Sequence, residues 1–415
     1  MRAGEPGLVL AVVAAGGLLF VRRAWALTVA RVLLVIAAAF WLRVTGELVS
    51  VRTALGTPWG RLVIILGAVA LVALVGAVFL GAGNARQRFR VGAESRVPSA
   101  AAFLITAGLL AVVQAKVRTP MVLAERFLAG GGWLEILAAS AYAAWLTERM
   151  LDPKVQPKWR RRVWLGFTIV FFGQLALGLV GFDRFLMTGE LHLPVPAVIL
   201  AGPVFRGEGL FMPILFGAAL LLVGPAWCSH LCYFGGIDGV AAAVVKRPGA
   251  LPAWVRVARY VMIAVVVGAA LALRYGGAST AVAAGAGLAF GAIGLGVTIV
   301  WSRRAGFMAH CTWFCPMGAL ATTLGKASPF RLRLADSCDG CGACAFACRY
   351  GALCPGDIER RIPGPTCTLC GDCVGRCQSR SAEYRFGPLR GARVRAAFIA
   401  IVVALHAVFL AVARV

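Results

Sequence analysis

The stretch CDGCGACAFAC at residues 338–348 and the stretch CTLCGDCVGRC at 367–377 share one cysteine spacing, C-x2-C-x2-C-x3-C. This spacing is typical of bacterial ferredoxins, in which each run supplies ligands to a 4Fe–4S cluster and its fourth cysteine binds the other cluster. Gly340, Gly342 and Gly371 lie between the cysteines, where the backbone passes close to a cluster and a Cβ would obstruct it. The two runs therefore predict an α+β ferredoxin-like module with two 4Fe–4S clusters.

The crossed arrangement divides the eight cysteines into two predicted ligand sets. The first cluster is assigned to Cys338, Cys341, Cys344 and Cys377, and the second to Cys367, Cys370, Cys373 and Cys348. Zinc is the alternative metal, because C-x2-C pairs also build zinc ribbons, but the double repeat favours iron. Cys354 is left over, as a spare structural thiol or as an alternate ligand in a shifted register. Arg349 and Gln378 stand where proline commonly follows the fourth cysteine.

The rest of the chain has the composition of a membrane protein. Of its 415 residues, 60% are hydrophobic and 14% are charged, whereas about a quarter are charged in soluble domains. Apolar runs long enough to cross a bilayer predict about ten spans and a polytopic α-helical fold. These spans are placed at 7–21, 24–42, 61–82, 99–115, 132–147, 162–182, 209–227, 256–273, 279–301 and 394–414.

Four segments follow from these assignments. They are N-terminal membrane helices at 1–150, a membrane core at 151–330, the ferredoxin module at 331–390 and a C-terminal membrane helix at 391–415.

The net charge of +25 comes mainly from Lys and Arg in short loops and around the cysteines. This is the positive-inside pattern of membrane proteins, and no nucleic-acid partner is expected. The basic loops at 86–96 and 149–162 are therefore predicted to be cytoplasmic, which places the cysteine region at 302–393 inside and both termini outside. A reducing compartment suits iron-binding thiolates. The predicted location is the bacterial inner membrane, with the ferredoxin module facing the cytoplasm.

Two further motifs follow predicted spans, WCSHLCYFG at 227–235 and HCTWFCPMG at 310–318. In an α-helix the C-x3-C spacing places both sulfurs of a motif on one face. Because two spans separate the motifs, both emerge on the same side of the membrane, where their four thiols can meet. Three interpretations stay open: a third Fe–S cluster, a redox-active dithiol pair, or buried structural thiols. His230 and His310 would tune or ligate a cluster, or simply be hydrogen-bonded. The four cysteines are Cys228, Cys232, Cys311 and Cys315.

These motifs, followed by the double ferredoxin run, resemble the NapH/NosR family of membrane-bound polyferredoxins over roughly 162–385. The resemblance implies electron transfer from the quinol pool, or from a quinol-oxidising partner, toward a periplasmic reductase system. The sequence departs from the family pattern at Tyr233, where the first motif usually has Pro. About five extra spans also precede the family core, and one more span follows the ferredoxin module.

The predicted function is iron–sulfur electron transfer between the quinol pool and a reductase of anaerobic respiration. Its expected partners are membrane lipid, quinol or a quinol-oxidising subunit, and a redox partner protein; whether the chain is itself an enzyme is left open. A quinone site is compatible with ionisable residues inside apolar runs, namely Arg31, Glu135 and His406. The alternative is a membrane-bound maturation or regulatory factor that supplies or senses electrons during assembly of another metalloenzyme. A transporter is disfavoured because no matched pair of broken, charged helices is visible.

Overall fold

The computed structural model describes residues 16–82, 89, 94–186 and 193–412. The chain forms two compact units, Met1–Glu148 and Arg149–Val415. The predicted segments 151–330, 331–390 and 391–415 all lie in the second unit.

The first unit is built from long helices with an aromatic contact at its core. The rings of Trp25 and Phe103 stack with centroids 5.9 Å apart. Arg31 Nε donates to the Ala77 carbonyl at 3.0 Å, and Glu135 accepts the Ala124 N–H at 2.6 Å. Both ionisable groups are thus satisfied by backbone of their own unit. The α-helices are Ala24–Ala54, Gly60–Phe79, Arg96–Lys116 and Gly131–Met150, and the 3-10 turns are Gly17–Phe20 and Leu123–Arg126.

The second unit places the ferredoxin module between membrane helices that precede and follow it. The helices before the module are Gln156–Leu179, Val198–Arg206, Phe211–Val223, Tyr233–Ala242, Val255–Tyr275, Thr280–Val297, Arg303–Ala305 and Pro316–Leu324, and the helix after it is Ala392–Ala411. Short 3-10 segments lie at Asp183–Phe185, Gly224–Ala226 and Gly325–Ala327, and π-helical turns at Trp227–Leu231, Thr298–Ser302 and His310–Phe314.

Eight helices of the described chain are long and apolar enough to cross a membrane. They are Ala24–Ala54, Gly60–Phe79, Arg96–Lys116, Gln156–Leu179, Phe211–Leu231, Val255–Tyr275, Thr280–Ala305 and Ala392–Ala411. The predicted span at 132–147 is a helix, Gly131–Met150, but it is not among the eight, because Glu135 and Glu148 lower its hydropathy. The predicted span at 7–21 falls mostly on residues 1–15, outside the described chain. The prediction of a mostly helical protein is confirmed.

The ferredoxin module contains a small antiparallel sheet and three short helices. Leu332 pairs with Tyr384 at the centre of the sheet, and both side chains are buried. Tyr384 also stacks on Phe398 of the C-terminal helix, with ring centroids 4.6 Å apart. The strands are Phe330–Leu334, Ala382–Phe386 and Leu389–Arg390 in that spatial order, and the helices are Ala343–Ala347, Pro355–Glu359 and Asp372–Arg376.

Candidate iron–sulfur centres

The two cysteine runs of the module fold alike. Each run ends in a one-turn helix, Ala343–Ala347 or Asp372–Arg376, and these helices pack against each other. The residues before them, Gly342 and Gly371, have φ angles of 71° and 80°, a left-handed conformation that favours glycine. A Cβ at Gly371 would also lie 2.6 Å from the Tyr384 hydroxyl. Glycine is therefore required at these positions for the backbone to turn between the cysteines.

The first predicted ligand set lies on the outer side of the module, and we call it the outer set. Burial and the negative charges of Cys377, Cys338 and Cys341 raise the pKa of the Cys344 thiol. Cys344 is buried whereas Cys341 is exposed. The crossed grouping is thus present in space, with one edge open to solvent. The outer set comprises Cys338, Cys341, Cys344 and Cys377.

The second predicted ligand set lines one cavity, and we call it the inner set. Burial, with a smaller contribution from a neighbouring cysteine of the set, raises the pKa of the Cys348, Cys367 and Cys370 thiols to about 12 each. The Ala352 N–H donates to Cys348 Sγ at 3.2 Å. The inner set comprises Cys348, Cys367, Cys370 and Cys373, all on the cavity wall.

The chemistry of these donors fits an iron–sulfur cluster. Four thiols that raise one another's pKa stay protonated until a cation replaces their protons. Within the described residues, no group of three or more His, Cys, Asp or Glu side chains is arranged to hold a single metal ion. A cubane instead presents four separate iron corners, one for each cysteine. The inner cavity, with sulfurs spread around its wall, suits such a group.

The C-x3-C motifs depart from the predicted geometry of one α-helical face. The turns Trp227–Leu231 and His310–Phe314 are π-helical. The N–H groups of Cys232 and Cys315 donate to the carbonyls of Trp227 and His310, at 3.0 and 2.8 Å. Each second cysteine is itself extended and starts a new helix, Tyr233–Ala242 or Pro316–Leu324. The prediction that each motif lies on one α-helical face was therefore wrong. Each turn is π-helical, and its second cysteine is extended and precedes a new helix.

The two motifs nevertheless meet, as their placement on one side of the membrane predicts. Burial, followed by the negative charges of Asp238 and of the other three motif cysteines, raises the pKa of the Cys311 thiol well above its usual value. A Cβ on Gly235 would lie 2.8 Å from the Cys228 carbonyl, and one on Gly318 would lie 2.3 Å from the Cys311 carbonyl. Glycine therefore lets each new helix pack on its own turn. We call Cys228, Cys232, Cys311 and Cys315 the membrane-edge set.

Two buried polar residues, Asp238 and His310, lie beside the membrane-edge set. Asp238 accepts hydrogen bonds from Ser302 Oγ at 2.6 Å and from the Cys311 N–H at 3.0 Å, and burial raises its pKa to about 6. His310 stacks on Phe234 with ring centroids 4.1 Å apart, and burial lowers its pKa to about 3. His310 is therefore neutral at physiological pH. Within the described residues, neither of its ring nitrogens has a hydrogen-bond partner.

The other histidines of the core contact each other. His230 Nδ1 lies 3.0 Å from Ser229 Oγ, and His406 Nδ1 lies 3.0 Å from the His230 carbonyl. His406, an ionisable residue inside the C-terminal span, thus contacts the first C-x3-C turn. Of the three ionisable residues named inside apolar runs, Arg31, Glu135 and His406, it is the one that contacts a predicted site.

A buried ion pair that sequence reasoning missed joins the module to the membrane core. Arg160 donates to both carboxylate oxygens of Asp372, at 3.1 and 2.6 Å, and to the Ser229 carbonyl at 3.0 Å. Gln156 donates to the Cys370 carbonyl at 3.1 Å, and Ser229 Oγ donates to the Thr368 carbonyl at 3.0 Å. In the sequence, Arg160 is one of several basic residues of the loop at 149–162, and no residue near it in the chain indicates its distant partner.

A second buried arginine, Arg259, lies between the two kinds of cysteine motif. It donates to the Pro365 carbonyl at 3.0 Å, to the Gly318 carbonyl at 3.2 Å, and to Thr322 Oγ1. Its charge interacts with that of Cys228. Among the described residues no carboxylate lies within ion-pair distance of it. In the sequence, the signal for Arg259 is a positive charge inside an apolar run. An anionic cluster would supply the counter-charge that this arginine lacks.

Arg349 explains one departure from the usual ferredoxin run. Its guanidinium donates to the carbonyls of Ala242, Gly306 and Lys246, at 3.1, 2.8 and 3.3 Å. Its own carbonyl accepts the Met308 N–H at 2.9 Å. Where soluble ferredoxins commonly have proline, this chain thus has a side chain that attaches the module to the membrane core.

Cys354 lies apart from the three cysteine sets. Its Sγ lies 3.7 Å from the Gly351 carbonyl, and it caps the helix Pro355–Glu359. It is not on the wall of the inner cavity. Its contacts are those of a capping residue.

Two segments of the chain, 206–250 and 283–334, match the family model described as a 4Fe-4S binding domain. These segments contain the membrane-edge set. The chain is 31% identical to the methylamine utilization ferredoxin-type protein MauN of Paracoccus denitrificans, over 39% of this chain and 63% of that protein. It is 28% identical to the putative electron transport protein YccM of Escherichia coli, over 48% of this chain and 58% of that protein. The chain is similar to ferredoxin-type electron-transport proteins.

The predicted resemblance to ferredoxin-type membrane proteins is thereby confirmed. The chain spans about three fifths of the length of these curated relatives. No solved structure matches the chain significantly. The matched 4Fe-4S family segments end before Cys338, so they bear on the C-x3-C motifs and leave the double ferredoxin run to the argument from its own spacing.

Proposed function

We propose that this protein transfers electrons between the membrane quinol pool, or a quinol-oxidising partner, and a reductase system through three iron–sulfur centres in series. The membrane-edge set would hold the first centre, the inner set the second and the outer set the third. The iron–sulfur groups supply the redox chemistry, and the protein supplies their order, spacing and surroundings.

The observation that carries the proposal is the hydrogen bond from Ser229 Oγ to the Thr368 carbonyl, 3.0 Å long. Ser229 directly follows Cys228 of the membrane-edge set, and Thr368 directly follows Cys367 of the inner set. One hydrogen bond thus separates residues adjacent to ligands of the two centres. Electron transfer needs carriers in such close proximity, and no mobile arm is required to join these two.

The inner and outer sets are linked within the module itself. The helix Ala343–Ala347 carries Cys344 of the outer set and ends at Cys348 of the inner set. Likewise, the helix Asp372–Arg376 carries Cys373 of the inner set and ends at Cys377 of the outer set. With Cys341 exposed, the outer centre is the one that a soluble redox partner would reach.

The match of the membrane-edge segments to a 4Fe-4S binding domain supports a cluster there over a dithiol pair or structural thiols. The buried charge of Arg259 supports the same choice, because a cluster with four thiolate ligands is anionic. We place the protein in the bacterial inner membrane with the ferredoxin module in the cytoplasm, on the positive-inside pattern of its loops. A quinone site near the membrane-edge set belongs to the same proposal.

Quinol-linked cluster reduction tests the proposal. In anaerobic native membranes, the visible and EPR signals of the ferredoxin clusters should change on addition of duroquinol. The double variant Cys228→Ser/Cys311→Ser should stop this change while both ferredoxin clusters stay assembled and reducible by dithionite. Cys354→Ser, which removes a cysteine outside the three sets, is the matched control and should behave as wild type.

Wild-type rates of quinol-linked reduction in the double variant would refute the relay. Clusters that never turn over with quinol, in cells where a metalloenzyme fails to mature without this protein, would favour the maturation or regulatory factor instead.

A further inference from the structure

Asp238 is a buried carboxylate for which the fold supplies no counter-charge. It is fully buried, and among the described residues no cationic side chain lies within ion-pair distance of it. Buried charges are usually paired, because the removal of an unpaired charge from water is costly. Asparagine would occupy the same space at a lower cost, so the negative charge itself indicates a role beyond packing.

The Asp238 carboxylate connects the two C-x3-C motifs. Asp238 lies on the helix Tyr233–Ala242, which begins directly after Cys232 of the first motif. Its Oδ2 accepts the N–H of Cys311, in the second motif, at 3.0 Å, and its Oδ1 accepts the Ser302 hydroxyl at 2.6 Å. The helix that starts at one motif thus holds the backbone of the other.

Asp238 and Ser302 together cap the start of the second C-x3-C turn, His310–Phe314. The first N–H groups of a helical turn have no partner within it. Ser302 Oγ accepts the Ala309 N–H at 2.9 Å, and Asp238 accepts the Cys311 N–H. Because Ser302 Oγ accepts from Ala309, its own proton is the one directed at Asp238. Both carboxylate oxygens therefore accept hydrogen bonds, as an ionised carboxylate does.

We propose that Asp238 is a positioning residue for electron transfer, which holds the Cys311 backbone in place and lowers the reduction potential of the membrane-edge centre through its negative charge. This inference rests on the proposed cluster at that set. The reduced state of a cluster is more negative than the oxidised state, and a carboxylate beside a ligand makes it less stable. The Cys311 N–H is also not free to bond a cluster sulfur, because the carboxylate accepts it. A lower potential makes the membrane-edge centre a better electron donor to the inner one.

The test is a redox titration of anaerobically purified protein, monitored by EPR. The signal of the membrane-edge centre is the one that Cys228→Ser/Cys311→Ser lacks. Asp238→Asn keeps the size and one acceptor oxygen but removes the charge, so the midpoint potential of this centre should rise at unchanged iron content. Asp357→Asn is the matched control. It neutralises another buried carboxylate, the partner of Arg360 in the ferredoxin module, and should leave that midpoint unchanged.

Ser302→Ala is a second variant, and it should shift the potential in the opposite direction. It removes the hydroxyl that donates to Asp238 Oδ1. The carboxylate charge is then less neutralised by hydrogen bonding, so the midpoint potential of the membrane-edge centre should fall. A turn that is merely loosened would give shifts of the same sign in Asp238→Asn and Ser302→Ala, so opposite signs separate the effect of charge from that of packing.

The outcomes also separate the two proposals. If wild type holds about twelve irons and Asp238→Asn leaves the midpoint unchanged, or shifts it in the same direction as Ser302→Ala, this inference is overturned and the third centre stands. If Asp238→Asn loses the membrane-edge cluster, Ser302→Ala decides alone, and a midpoint that does not fall overturns the inference. If wild type holds only about eight irons, the third centre falls, and the role of Asp238 falls with it.

Discussion

Arg160 and Asp372 form a buried two-point ion pair, with Nε 3.1 Å from Oδ1 and Nη2 2.6 Å from Oδ2. Asp372 lies between Cys370 and Cys373 of the inner set, and Arg160 lies in the first turns of the membrane helix Gln156–Leu179. Because Arg160 also donates to the Ser229 carbonyl, one guanidinium connects the ferredoxin module with the first C-x3-C turn. Together with the hydrogen bond from Ser229 to the Thr368 carbonyl, this side chain holds the inner set against the first C-x3-C turn.

Replacement of Arg160 by Met should destabilise the protein strongly. It leaves the Asp372 carboxylate buried without its partner, and the loss of one member of a buried pair costs about 3–5 kcal/mol. Thermal unfolding of the purified protein would detect this as a lower midpoint. Arg43→Gln, which breaks the exposed pair with Glu47, is the control and should leave the unfolding midpoint nearly unchanged, because water screens an exposed pair. Equal effects of the two substitutions would contradict the structural role of the Arg160 pair.

Iron content should report the three cysteine sets separately. We expect about twelve irons in wild type and about eight in Cys228→Ser/Cys311→Ser, since one four-iron cluster is lost. Cys341→Ser/Cys370→Ser should remove the ferredoxin clusters, one cysteine coming from each set. Cys354→Ser should keep the wild-type content. Zinc in place of iron, measured by plasma emission spectroscopy, would refute the assignment of all three sets.

Gly318→Ala should disrupt the membrane-edge set without any change of ligand. The new Cβ would lie 2.3 Å from the Cys311 carbonyl, a backbone atom that cannot move without displacing the cysteine. We expect loss of about four irons together with a lower unfolding midpoint. Gly217→Ala is the matched control, because nothing lies within 4 Å of the added Cβ and the helix Phe211–Val223 accepts alanine. A Gly318→Ala protein with wild-type iron content would show that the close packing is not required.

Arg259→Met should act on the membrane-edge centre through charge. Removing a buried cation next to an anionic cluster makes its reduced state less stable, so the midpoint potential of that centre should fall. A redox titration of the purified protein measures this. Arg256 lies one turn earlier on the same helix at an exposed position. Arg256→Met is therefore the control and should leave the midpoint potential unchanged. The same shift in both variants would point to a general effect of the helix.

Membrane topology should follow the basic loops. A reporter fused after Lys154, before the helix Gln156–Leu179, should read cytoplasmic, and one fused after Gly207 should read periplasmic. Green fluorescent protein and alkaline phosphatase give opposite signals on the two sides. The reverse pattern would place the ferredoxin module outside the cytoplasm and contradict the proposed location.

The sequence by itself determined the ferredoxin spacing, most of the apolar helices and the need for glycine at Gly342 and Gly371. These features are local, because a short cysteine loop, a hydrophobic run or a left-handed turn depends on residues that are neighbours along the chain. The meeting of the two C-x3-C motifs also followed from a simple count of the spans between them.

Only the tertiary structure decided which buried groups lie between the centres. Arg160 and Asp372, and Ser229 and Thr368, are far apart in the chain and belong to motifs that look independent. Their contacts arise because the module packs its inner face on the membrane core, where each buried polar group must find a partner or a cofactor. The π-helical turns were likewise unpredictable, since their change of direction at the second cysteine is imposed by packing around Gly235 and Gly318.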